Sequence, residues 1–172
     1  MKAYCRSIEG ALDCDSSDSW LPVGNAVKTA HGRRASVYLV LSLQVKGFRN
    51  PFLATSFTVN RPIGWVTFVF QTSCVGDCGF YFLERPRSVS RPIILAEWNG
   101  TVSRRSYNFP VLRSSATVFE WVFIRSQLTD SQFYRMEDIA LDEATIFLIN
   151  VTNTVDGGAS TCSSCARDDE FE

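Results

Sequence analysis

The sequence predicts an all-β fold, an antiparallel β-sandwich or barrel, and three observations predict it. Short segments of alternating apolar and polar residues recur at intervals of roughly ten residues, about eight or nine of them in all. The chain is rich in strand-favouring side chains, with 13 Phe, 4 Trp and 13% aromatics among its 172 residues. No helical pattern separates the alternating segments, which argues against a parallel βαβ sheet.

Residues 1–20 are polar and small, with Asp13, Asp15 and Asp18 among serines, and read as a loop or covering arm. ASVYLVLSLQVK (35–46) alternates cleanly. Val37, Leu39, Leu41, Leu43 and Val45 share one face of the predicted strand, and Tyr38, Val40, Ser42 and Gln44 share the other. A turn cluster at Lys46–Pro51 leads to a second strand, FLATSFTV (52–59). WVTFVFQ (65–71) and GFYFLE (79–84), joined through Cys74-Val-Gly-Asp-Cys78, read as a hairpin. IILAEW (93–98) ends at an Asn99-Gly100 turn signal, and RRSYNF (104–109) is a short strand before Pro110.

ATVFEWVFIR (116–125) places Phe119, Trp121 and Phe123 on one face and Val118, Glu120, Val122 and Ile124 on the other. Only residues 126–138 could turn helically, and EATIFLINV (143–151) is the last strand. The acidic end Asp168, Asp169, Glu170 and Glu172 reads as a frayed tail. One domain with no interior linker accounts for this pattern.

Composition narrows the function classes. Seventeen basic and eighteen acidic residues leave a net charge of −1, which excludes the strong basic field of a dedicated nucleic-acid binder. No apolar run reaches the roughly 18 residues that cross a bilayer. The N-terminus has no signal-peptide apolar region, which alone points to the cytosol. Six cysteines (Cys5, Cys14, Cys74, Cys78, Cys162, Cys165) and sequons at Asn99-Gly-Thr101 and Asn150-Val-Thr152 point to the secretory pathway instead. The two signals reconcile if the chain is a piece of a longer secreted or membrane-anchored protein and Met1 is not its natural start.

No constellation singles out a reaction. His31 is the one imidazole, with no nucleophile elbow around any serine, and reads as a loop residue. Glu97, Glu120, Asp142 and Glu143 lie on or beside strands, so a glycosidase-like pair is conceivable, but a structural role is the preferred reading. Glu120 in particular reads as a single acid among apolar neighbours. Cys162-Ser-Ser-Cys165 has zinc-knuckle spacing and could join Cys74 and Cys78 in a four-thiolate site. The first pair is spaced by three residues rather than two, and disulfides are preferred in an oxidising compartment. Asp13, Asp15 and Asp18 lack the glycine and final glutamate of a calcium loop. No cofactor, metal or catalytic residue is expected. Arginine outnumbers lysine 14 to 3, and Arg85, Arg87, Arg91, Arg104, Arg105 and Arg113 fall close together in sequence. On one face they would suit an acidic partner or glycan sulfates; the preferred reading is a solvated loop face with scattered ion pairs.

IFLINVTNTVDGGASTCSSCA (146–166), LVLSLQVKGFRNP (39–51), WVTFVFQTSCVGDC (65–78) and FEWVFIRS (119–126) follow one another as in the second sandwich domain of a known family. From Trp20 to Ala166 the chain resembles the endosome/lysosome-associated apoptosis and autophagy regulator family. DIALDEATI (138–146) separately is similar to the ending of MAM adhesion domains, which are also jelly rolls. The resemblance implies a galactose-binding-like or MAM-like sandwich, a non-catalytic luminal or extracellular module of a type I membrane protein. It implies a division into an arm at 1–19, the sandwich at 20–161, and the start of a cysteine-rich region with an acidic tail at 162–172. It also implies tethering through a transmembrane segment C-terminal to this chain, and residence among endosomes, lysosomes, the trans-Golgi and the plasma membrane. Cys74 with Cys78, Cys5 with Cys14, and Cys14 with Cys162 are all possible pairings. The expected partner is a protein or a glycan, not nucleic acid, held by end loops or an arginine-rich face. For a lectin-like module, Trp20, Trp98 and Tyr107 are the candidate exposed aromatics.

Overall fold

The computed structural model describes residues 1–7, 19–31, 37–50, 61–75, 78–125 and 141–157. The strand expected at 52–59, the stretch 126–138, the acidic tail, Asp13, Asp15, Asp18, Cys14, Cys162 and Cys165 lie outside the described residues. Ten strands are described: β1 (Lys2–Ser7), β2 (Trp20–Val23), β3 (Ala26–Thr29), β4 (Val37–Val45), β5 (Gly64–Ser73), β6 (Gly79–Pro86), β7 (Ile93–Asn99), β8 (Val102–Val111), β9 (Thr117–Ile124) and β10 (Glu143–Val151). They form two five-stranded sheets, β1-β4-β9-β6-β7 and β2-β3-β10-β5-β8, and every neighbouring pair is antiparallel. The all-β antiparallel sandwich read from the sequence is the fold.

The alternation that marked the strands builds the core. Leu39 and Leu41 of β4, Phe119, Trp121 and Phe123 of β9, and Phe80 and Phe82 of β6 line the inner face of the first sheet. Phe68 and Phe70 of β5 with Ile146 and Ile149 of β10 meet them from the second sheet. A bulge on β10 between Ile146 and Leu148 keeps both isoleucines inward. Prolines Pro22 and Pro110 sit on β2 and β8, the edges of the second sheet, where a missing N–H costs no ladder bond.

Two readings are corrected. Residues 65–71 and 79–84 are not a hairpin, because β5 and β6 belong to different sheets. Their aromatic faces oppose each other across the core, with Phe70 4.8 Å from Phe80 and Phe68 4.9 Å from Phe82 between ring centroids. The short connection is an arch between layers, and the Cys74–Cys78 disulfide closes it with a Cα separation of 6.0 Å. Period-two alternation tells which side chains point inward and leaves the layer undetermined, so a short connection reads equally as hairpin or arch.

The loop reading of 1–20 also fails over its first residues. Lys2–Ser7 pair along β4 from Lys2 with Ser42 to Ser7 with Val37. The inward residues there are Ala3 and Cys5, too small to register as an apolar stripe. Cys5 is buried and disulfide-bonded.

At the end of the sandwich near the arch, the chain also crosses from β7 to β8 through Asn99-Gly100-Thr101, with Gly100 at φ 70. That left-handed conformation suits glycine. Thr72 Oγ1 donates to Gly100 O at 2.7 Å and accepts from Val102 N at 2.9 Å. Thr101 Oγ1 likewise bridges the N–H and carbonyl of Cys74, both at 3.0 Å. The two crossovers are therefore stitched together.

Candidate functional site

With the inner faces committed to the core, a site must use the end loops or an outer face. The outer face of the first sheet carries a groove of about 520 Å³, within the size range of small-molecule sites. Its base is apolar, from Val122 and Ile124 of β9 and Leu83 of β6. Tyr38 of β4 and Tyr81 of β6 add aromatic rings, while Arg6 of β1 and Arg85 of β6 add guanidiniums. Pro92 and Ile94 complete it on the β7 side.

Alternation explains this placement. The strand residues that do not face the core project here, so Tyr38 and Val40, Tyr81 and Leu83, and Val122 and Ile124 share the face. The Arg6 guanidinium lies 5.9 Å from the Tyr38 ring centroid, within cation–π range. Gly79 lets the phenol of Tyr81 fold down onto the strand, since a Cβ there would stand 2.6 Å from Tyr81 Cε2.

Next to the groove residue Val122, on the same face of β9, sits Glu120, 2% exposed. Its Oε1 lies 2.8 Å from Arg85 Nε in an ion pair and accepts a hydrogen bond from Tyr4 OH at 2.9 Å. The carboxylate is thus a structural acid, held by one cation and one phenol. Burial, reinforced by the Glu120 charge and hydrogen bond, pushes the Tyr4 phenol above its usual range. Burial, then Glu97 and Tyr38, does the same for Tyr81.

These raised phenols carry a sign. A folded state that holds protons more tightly than the unfolded chain loses stability as pH rises. The contribution is fully present below roughly pH 10, the unfolded tyrosine value, and is lost as pH climbs through the higher folded values. Urea unfolding at about pH 9 and about pH 11 is expected to show a smaller loss in a Tyr4→Phe/Tyr81→Phe variant than in the parent.

The other expected site residues are dispersed. Asp142 accepts from Val75 N at 2.7 Å, Glu143 pairs with Lys28 at 3.0 Å, and Glu97 lies exposed on edge strand β7. His31 is exposed after β3. Among the described residues, no three His, Cys, Asp or Glu side chains converge as a metal site, and the disulfide removes Cys74 and Cys78 from any four-thiolate arrangement.

The arginines do not gather on one face. Arg85 lines the groove, Arg87, Arg91 and Arg113 are exposed between strands, and Arg104 on the second sheet lies 4.0 Å from the Phe147 ring centroid. Asn99 is exposed at its turn, whereas Asn150 is half-buried within β10.

The lectin-type aromatics are also corrected. Trp20 is 2% exposed and donates to Leu39 O at 3.0 Å. Trp98 and Tyr107 pack 5.2 Å apart against the core. Of the groove's aromatic residues, Tyr38 was visible only as a member of the second face of its strand, and Tyr81 was not singled out.

Two five-stranded antiparallel sheets packed face to face, with a groove on one outer face, define a β-sandwich class of domain. Residues 1–159 match the family profile described as "ELAPOR1-like, galactose binding domain". The chain belongs to the endosome/lysosome-associated apoptosis and autophagy regulator family. It is 31% identical over 170 residues to family member 2 of Homo sapiens and 30% identical over 170 residues to that of Mus musculus, each match covering 99% of this chain and 16% of the relative. It is 32% identical over 147 residues to regulator 1 of Homo sapiens, covering 86% of this chain and 14% of that protein. The chain therefore spans about one sixth of the length of these relatives. Among solved structures, the secreted serine protease VesC from Vibrio cholerae shares the fold, with a TM-score of 0.50 and 11% identity over 80% of this chain and 23% of that one.

Proposed function

We propose that this domain is a non-catalytic module on the luminal or extracellular side of a type I membrane protein, and that its outer-face groove binds a glycan. The groove carries the reading: an apolar base, two tyrosines and two arginines converge on one open face, the composition of a recognition surface. A catalytic role gains no support from the carboxylates, since Glu120, Asp142 and Glu143 each hold a structural partner. The relatives are named for endosomes and lysosomes, and the Cys74–Cys78 disulfide and the exposed Asn99 sequon suit an oxidising, glycosylating compartment. In the whole protein the module would be tethered by a transmembrane segment beyond this chain. A protein partner is the second reading, favoured by Ile93 and Ile94, 38% and 57% exposed on edge strand β7.

The test uses this domain secreted from mammalian cells and applied to a glycan array. Binding to a subset of glycans is expected, lost in a Tyr38→Ala/Tyr81→Ala variant that keeps its far-UV circular dichroism. Peptide mapping of the same material is expected to find Asn99 glycosylated and Cys74 joined to Cys78. An array without binders defeats the glycan reading. An unmodified Asn99 together with free thiols defeats the compartment.

A further inference from the structure

The charge on the groove narrows its ligand. We infer that the groove takes an acidic sugar, with the acid group at the β1 side beside Arg6. This rests on the glycan reading above and adds to it the chemical class and the orientation.

Arg85 is already neutralised, with Nε 2.8 Å from Glu120 Oε1, and Glu120 takes the Tyr4 hydroxyl as well. That cluster offers a ligand no net charge. Arg6 differs: it is exposed, it lies over the Tyr38 ring, and no carboxylate among the described residues forms a salt bridge with it. Strand alternation sets Lys2 on the same face of β1. The β1 side of the groove is therefore cationic.

Among the described residues, Glu97 is the other acid on the outer face of this sheet, and it stands on β7, the opposite edge. Four strand spacings separate β1 from β7, roughly 19 Å. A ligand lying across the sheet thus meets a cation at one end, tyrosines and an apolar base in the middle, and a carboxylate beyond. An oligosaccharide with one terminal acid fits this order. Its carboxylate or sulfate pairs with Arg6, its rings cover the apolar base and Tyr81, and its hydroxyls donate toward Glu97. A neutral sugar leaves Arg6 unused, and a uniformly acidic chain meets Glu97 unfavourably.

The experiment compares lactose, 3′-sialyllactose and 3′-sulfolactose with the folded domain, by ¹H–¹⁵N chemical-shift titration at low and high salt. The two acidic probes separate carboxylate from sulfate recognition. At least one of them is expected to bind about tenfold or more tightly than lactose, with shifts on β1, β4 and β6 and weakening as salt rises. Arg6→Ala should bring the acidic probe down to the lactose affinity, while Arg104→Ala, on the other sheet, should leave it unchanged.

Equal binding of lactose and both acidic probes overturns the acidic-sugar inference and leaves the glycan reading standing. Binding of no sugar on this titration or on the array overturns both. Shifts confined to the end loops overturn the placement. Tri-glutamate binding as tightly as the acidic sugars overturns the inference in favour of an acidic peptide.

Discussion

Replacing Phe68 by alanine is expected to destabilise the domain by about 3–5 kcal/mol, the largest effect of any single core truncation. Phe68 is fully buried at the middle of β5. Its ring centroid lies within 6.5 Å of six others: Phe80, Phe82, Trp98 and Trp121 of the first sheet, and Phe70 and Tyr107 of the second. It is the side chain through which the two layers touch most widely. Its loss removes transfer energy and leaves a cavity walled by rigid rings, which relax little. For a domain of this size, the melting temperature should fall by roughly 6–20 °C. Trp65 lies three residues earlier on the same strand and is 44% exposed. Trp65→Ala should cost far less, although tryptophan is larger. Thermal and urea unfolding of the two variants side by side decide the matter, and equal losses would show that the layers are not joined through Phe68.

That contrast shows what the sequence reveals about this fold. The inward set of β9, Phe119, Trp121 and Phe123, and that of β4 follow from period two, because a half-buried strand must separate apolar from polar side chains. Pairing does not follow from the period. WVTFVFQ and GFYFLE carry identical signals whether they lie side by side or face to face, and the rings of Phe70 and Phe80 settle it by meeting across the core. β1 was hidden because an edge strand covered by a neighbour needs little apolar surface, and Ala3 and Cys5 supply little.

The groove was less legible still. Glu120 was readable as a lone acid among apolar residues on its strand, but its cation lies on β6 and its phenol on β1. Arg6 and Tyr38 are more than thirty residues apart in sequence and come together through the β1–β4 pairing. Of the three aromatics expected at the surface, Trp20 and Trp98 are claimed by the core. What separates Tyr38 and Tyr81 from Tyr107 is which side of a strand they leave, and that needs each strand's inward face to be known first.

Glu120→Ala is expected to cost about 3 kcal/mol, the low end of the range for breaking a buried ion pair, because the Arg85 side chain keeps 29% of its exposure. The substitution leaves a guanidinium and the Tyr4 hydroxyl facing an apolar strand centre without their acceptor. A mere loss of attraction would predict less, since it is the uncompensated charge that destabilises. Hence the double variant Glu120→Leu/Arg85→Leu should recover most of the loss, as both charges leave together and Val122 and Leu83 gain apolar neighbours. Urea unfolding of the parent, Glu120→Leu, Arg85→Leu and the double variant forms a cycle with a large coupling energy if the pair acts as a unit. Additive losses would mean that Glu120 is held by something other than Arg85. The double variant also separates stability from recognition. It removes one guanidinium from the groove and leaves Arg6 in place, so a stable protein that still prefers acidic to neutral sugar would locate the charge selectivity at β1 and confine the buried pair to holding the sheet's outer face together.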